Sequence, residues 1–215
     1  MTQLAGRGVN ITAIMNVNNG PGDGVNSDYL AVVNAYKAKG GRLLGYIYSC
    51  YGRDLCVVPE ETRNVSQMVS DALRYDALYG PLHGIFVDEL SDRLEEYDFY
   101  RNFTTEVRRV KPDWILMANP GIPCPEQYLD LFNILLTREG GPNAVINAPT
   151  WAMNYSPTRQ SYLYYGVRTE SAMRTKVREA RSRNVGYIYV TDDVLPNPWD
   201  KLPGYIEQLV SALAQ

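Results

Sequence analysis

Seven runs of apolar, β-branched or aromatic residues recur along the 215-residue chain, with helix-type patterns between them. They are "VNITAIMNV" (9–17), "RLLGYIYS" (42–49), "HGIFVDE" (83–89), "WILMANP" (114–120), "FNILLTRE" (132–139), "SYLYYGV" (161–167) and "GYIYVTDD" (186–193). Near-continuous apolar runs fit strands covered on both faces, as in a parallel sheet. "AVINAPTW" (144–151) is a weaker eighth candidate. Helix patterns fall at Ser27–Ala38, Pro59–Leu78, Leu94–Val110, Pro125–Leu131, Ser171–Arg183 and Trp199–Ala214. Start signals include Ser27 with Asp28, and Pro59 with Glu60 and Glu61. The βαβα alternation predicts one α/β domain over 1–215, either a (β/α)8 TIM-type barrel or an open doubly wound sheet. No strand leads into GxGxxG or GxxxxGK[ST], which removes support for a nucleotide-binding open sheet. Polar residues close nearly every strand, and a barrel gathers such strand ends at its catalytic rim. Such barrels use about 250 residues, so either 144–151 completes the eight or the first strand is missing.

Composition narrows the partners. The net charge is −3 and the cations form no basic stripe, so a nucleic-acid partner is not expected. No apolar run reaches the roughly 18 residues of a membrane span, and "MTQLAGRGVN" lacks the pattern of a signal peptide. Cys50, Cys56 and Cys124 match no zinc or CxxC spacing; a bridge between the first two across a loop is compatible with their separation. The 17 Tyr, against 4 Phe and 3 Trp, suit half-buried surfaces that meet amphipathic ligands such as sugars, as well as ordinary sheet packing.

If the strands end together, one mouth collects Asn16, Asn18, Tyr48, Ser49, Asp88, Glu89, Asn119, Glu139, Asp192 and Asp193. Like charges there raise one another's pKa, the condition under which one carboxyl serves as acid and another as nucleophile or base. Glycoside hydrolysis needs that division. Successive strand residues face opposite sides, so one of Asp88 and Glu89 should enter the mouth and the other lie at its edge or support it, with Asp88 the one expected in the chemistry. Asp192 and Asp193 also suit capping or loop hydrogen bonding. The single His83 begins its strand, at the barrel end away from chemistry, and a His-rich metal site is excluded. A carboxylate site for Mg or Ca from Asp88, Glu89 and Asp192 stays open, and with it a metal-dependent phosphodiesterase. No cofactor is expected.

Taken in order, "MNVNNGPG" (15–22), "RLLGYIYSCYG" (42–52), "HGIFVDEL" (83–90), "MANPG" (117–121), "LLTREGG" (135–141) and "GYIYVTDDVLPNPWDKLPGYIEQLV" (186–210) resemble the spherulin-4-like glycoside hydrolase family. The resemblance implies a (β/α)8 barrel, secreted or at the cell surface, and endo-acting α-1,4-N-acetylgalactosaminidase activity on exopolysaccharides such as galactosaminogalactan. The family's cleft carboxylates fall on Asp88, Glu89 and Glu139, with Arg138 where the family tends to carry an aromatic. Asn18, Tyr48, Tyr51, Asn119, Trp151 and Asp192 are the candidate substrate contacts. The family's first strand has no counterpart here, and 144–151 falls in a long loop. Its absence would expose a sheet edge, a route to oligomerisation or to capture by another segment. A non-catalytic carbohydrate-binding module on a degenerate barrel is the alternative.

Overall fold

The computed structural model describes residues 9–52, 56, 62–144 and 147–215. Seven strands form one parallel sheet in sequence order: β1 (Thr12–Met15), β2 (Arg42–Tyr48), β3 (Gly84–Asp88), β4 (Ile115–Ala118), β5 (Ile134–Gly140), β6 (Gln160–Tyr164) and β7 (Tyr187–Val190). Five of the six connections carry an α-helix, α1 (Ser27–Lys37), α2 (Val65–Tyr79), α3 (Tyr97–Val110), α4 (Tyr128–Leu131) and α5 (Glu170–Ser182); among the described residues that between β5 and β6 has only short 3-10 turns, and α6 (Ile206–Leu213) follows β7. The described residues of 144–151 form no strand, and 145 and 146 lie outside them. The expected eighth strand is therefore not supplied by that segment.

Local chemistry sets most helix starts. Asn26 accepts the backbone N–H groups of Asp28 and Tyr29, and Thr169 accepts that of Ala172. Asn64 and Gln67 form a reciprocal capping box at the start of α2. That start lies beyond the expected Pro59–Glu61, which falls outside the described residues. Helix α6 begins at Ile206 rather than Trp199, because Pro196, Pro198 and Pro203 keep the preceding stretch in turns.

The sheet is rolled. Flat, β2 and β7 would lie about 24 Å apart at about 4.8 Å per strand. Instead Arg42 Nη1 on β2 donates to the Tyr187 hydroxyl on β7 at 3.4 Å. Leu44, Phe86, Met117, Ile134 and Leu136 fill the interior with Tyr46, Leu163 and Tyr187 against them, one face of the period-2 pattern. The opposite faces pack against the helices in two larger clusters. Among the described residues β1 and β7 are the sheet's edges, and Ile14, on the interior side of β1, is 39% exposed. Among the described residues the architecture is thus a barrel-like α/β fold of seven strands rather than a closed ring of eight.

Parity along β5 is broken by a bulge. Leu136 pairs with Ser161 and Arg138 with the next residue, Tyr162, leaving Thr137 as the extra residue. Leu136 faces the interior, so a regular strand would turn Arg138 inward and Glu139 outward. The bulge reverses this. Elsewhere close approach demands glycine: a Cβ at Gly84 would stand 1.9 Å from the Ile115 carbonyl oxygen. Gly84→Ala should therefore destabilise the fold by about 3 kcal/mol, measured as a lower denaturant midpoint with an unchanged slope.

Candidate active site

The carboxyl-terminal strand ends converge on two carboxylates joined through one amide. Asn119 Nδ2, just past β4, donates to Asp88 Oδ1 at 2.8 Å and to Glu139 Oε2 at 2.7 Å. Its Oδ1 is held by the Gly121 backbone N–H at 2.7 Å, which orients the amide so that its nitrogen faces both acids. Asp88 Oδ2 accepts the Tyr46 hydroxyl at 2.7 Å, and Oδ1 also accepts the Glu89 backbone N–H at 3.0 Å. Burial first, and then the Asp88 charge, hold the Tyr46 phenol protonated, so it is a permanent donor here. Tyr46 stacks on Phe86, with ring centroids 6.0 Å apart, and so forms part of the cleft floor.

Glu139 has a raised pKa. Burial is the main cause; the Asn119 hydrogen bond lowers it, the Asp88 charge raises it, and the nearby Trp199 side chain lowers it slightly. Trp199 stands in an aromatic group with Tyr165 and Tyr189 at centroid distances of 6.1 and 6.2 Å, and is 37% exposed. The loop bearing it is tied down by the 2.8 Å ion pair of Lys201 with Asp193.

Glu89 departs from strand geometry, with φ of 56°. The alternation expected of a regular strand ends at Asp88, and the Glu89 charge is felt at both Tyr46 and Tyr51. Cys50 and Tyr51 on the neighbouring turn are also left-handed, at 51° and 58°. This turn is fastened by the Cys50–Cys56 disulfide, by Tyr51 N–H donating to the Glu89 carbonyl at 2.8 Å, and by Ser49 Oγ donating to the same carbonyl at 2.7 Å.

The other expected contacts divide. Asn119 is central, Tyr51 is 40% exposed beside the acids, and Asn18 is exposed on the loop after β1. Tyr48 pairs in register with Asp88, but one ring face is covered by the Arg63 guanidinium at 4.6 Å. Trp151 is not in the cleft. It is 5% exposed within the helix-side core, and its indole N–H donates to the Cys124 carbonyl at 3.0 Å. Asp192 accepts the Gly204 backbone N–H at 3.2 Å, a loop-fastening role apart from Asp88 and Glu89. The carboxylate metal site is corrected accordingly: among the described residues no group of three or more His, Cys, Asp or Glu could hold an ion. His83 accepts the Leu43 N–H at the opposite barrel end. Sequence reasoning does not single out Tyr46 or Trp199. Tyr46 shares its strand face with Tyr48, and Trp199 lies in a proline-rich rim loop; those are the available signals.

Between the ordinary carboxylic pKa of Glu139 in the unfolded chain and its raised folded value, the folded protein binds more protons. Stability therefore falls as pH rises through that window and stays lowered above it. Glu139→Gln should raise the denaturation midpoint relative to wild type at pH 7, and the difference should close below about pH 4.

Residues 2–213 match the family model described as spherulation-specific family 4. Spherulin-4 of Physarum polycephalum is 28% identical over 224 residues, covering 99% of this chain and 65% of that protein's length. The crystal structure of Aspergillus clavatus Sph3 in complex with GalNAc superposes with a TM-score of 0.79 at 20% identity, over 97% of this chain and 87% of that one. The catalytic domain of the major endoglucanase of Xanthomonas campestris pv. campestris gives 0.53 at 14% identity, over 99% and 86%. Both likenesses are of fold. With nearly its whole length matched, the chain belongs to spherulation-specific family 4.

Proposed function

We propose that this protein is an endo-acting, retaining glycoside hydrolase of galactosamine-containing exopolysaccharide, cleaving α-1,4 bonds on the open rim of a TIM-type barrel. One observation carries the reading. Contacts of 2.8 and 2.7 Å to a single nitrogen cap the separation of the Asp88 and Glu139 oxygens at about 5.5 Å, the spacing of retaining rather than inverting pairs. Asp88, fixed by three donors, is the nucleophile; Glu139, with its raised pKa, is the acid. Glu139 protonates the leaving oxygen as an Asp88 carboxylate oxygen bonds to the anomeric carbon. It then takes the proton of the water that cleaves the glycosyl ester. Asn119 holds both acids in register throughout. Glu89 and Tyr51 line the approach, and the exposed Trp199 offers an aromatic face for a pyranose.

The GalNAc held in complex by the Aspergillus clavatus relative supports an aminosugar substrate. The Cys50–Cys56 bridge supports work in an oxidising, extracellular setting.

Hydrolysis of galactosaminogalactan, with the anomer of the first product followed by NMR, tests the proposal. Wild type should release oligosaccharides with net retention, and Asp88→Asn and Glu139→Gln should each lower kcat/KM by about 10³-fold or more. Equal activity in the variants would overturn the assignment, and binding without any release would favour a carbohydrate-binding module. Because Glu139 acts protonated, activity should fall as pH rises through its pKa. Trp199→Phe removes a contact that lowers this pKa, so the alkaline limb should move to higher pH.

A further inference from the structure

The bulge that turns Glu139 into the cleft turns Arg138 the other way, into the layer between β5, β6 and α5. Arg138 is 1% exposed. A guanidinium cannot shed its charge by deprotonation, so it must be met there by acceptors. Those it has are few: Nη2 donates to the Ala144 carbonyl, and the group stacks at 4.7 Å on the Tyr164 ring. Nε and Nη1 have no partner among the described residues.

Its neighbours add donors. Tyr162, the register partner of Arg138, and Tyr164, two residues on along the same face, are both fully buried, and neither hydroxyl has an acceptor among the described residues. The Arg183 charge is felt at Tyr162, and a guanidinium brings only donors, so it gives that hydroxyl proton no acceptor. From α5, Lys176 Nζ lies 5.1 Å from the Tyr164 ring. The carboxylate on that side, Glu179, is engaged by Lys176 at 3.1 Å and by Arg183 at 3.4 Å. Arg138, Lys176 and Arg183 thus face Glu179 across two tyrosines, three cations to one anion among the described residues.

The missing component is an acceptor. A water would bring two further protons into a group already rich in donors, whereas an anion only accepts. We propose that this layer is a binding site for a small inorganic anion of chloride size, held by Arg138 Nε and Nη1 with the Tyr162 and Tyr164 hydroxyls. The enclosure of these atoms selects against large anions. The site lies on the opposite face of β5 from the cleft and does not depend on the glycosidase reading.

Thermal unfolding of the whole chain in sodium chloride, sodium bromide and sodium gluconate at matched ionic strength tests this. Chloride and bromide should raise Tm over gluconate by about 3 °C or more, saturating with halide concentration. Arg138→Met should abolish the difference, since it removes both the charge and its donors. Should that variant not fold, bromide-soaked crystals of the wild type decide the matter by an anomalous peak within hydrogen-bonding distance of Arg138. Equal Tm in the three salts, a halide response that persists in Arg138→Met, or bromide found only at the surface would overturn the proposal.

Discussion

One extra residue in β5 decides which side chains of that strand face the cleft and which face the helices. Were Thr137 absorbed into a regular ladder, the strand would send a guanidinium into the cleft and a carboxylate into the helix-side core. The bulge reverses both. It brings Glu139 to the Asn119 amide and opposite Asp88, and it leaves Arg138 under α5 among tyrosines. The residues on either side of this step are therefore coupled by geometry although they serve different faces of the sheet.

Asn119 is the second constraint. Two carboxylates this close repel, and the shared donor nitrogen offsets that repulsion while fixing which oxygens face each other. Tyr46 and the Glu89 backbone complete the set of donors around Asp88, so its lone pairs are directed before any substrate arrives. The left-handed backbone at Cys50, Tyr51 and Glu89 costs about 1–2 kcal/mol per residue and is sustained by the disulfide and the Ser49 hydroxyl. Strain of this kind beside paired acids is consistent with a rim shaped for binding.

The parallel sheet was legible in the chain because each strand is a short apolar run between helix patterns, and period-2 alternation required Asp88 and Glu89 to part, without saying which of them faces in. Alternation could not place Glu139, since nothing in "LLTREGG" announces a bulge. Beyond Asp88 alternation no longer applies, because the backbone leaves the strand at Glu89. Trp151 reads as a sugar platform in "APTW", yet a carbonyl in the core claims its indole. Tyr46 was hidden because an inward tyrosine on a strand reads as packing, and its bond to Asp88 emerges only from the neighbouring strand's register.

In the proposed reaction Asp88 is the nucleophile beside a protonated Glu139. Mass spectrometry of the protein mixed with an activated 2-acetamido-galactosyl fluoride, with Glu139→Gln used to slow the second step, tests it most directly. One glycosyl unit attached to the peptide containing Asp88 is expected. Turnover of the fluoride by wild type with inversion and no adduct, or an adduct on another carboxylate, would contradict it.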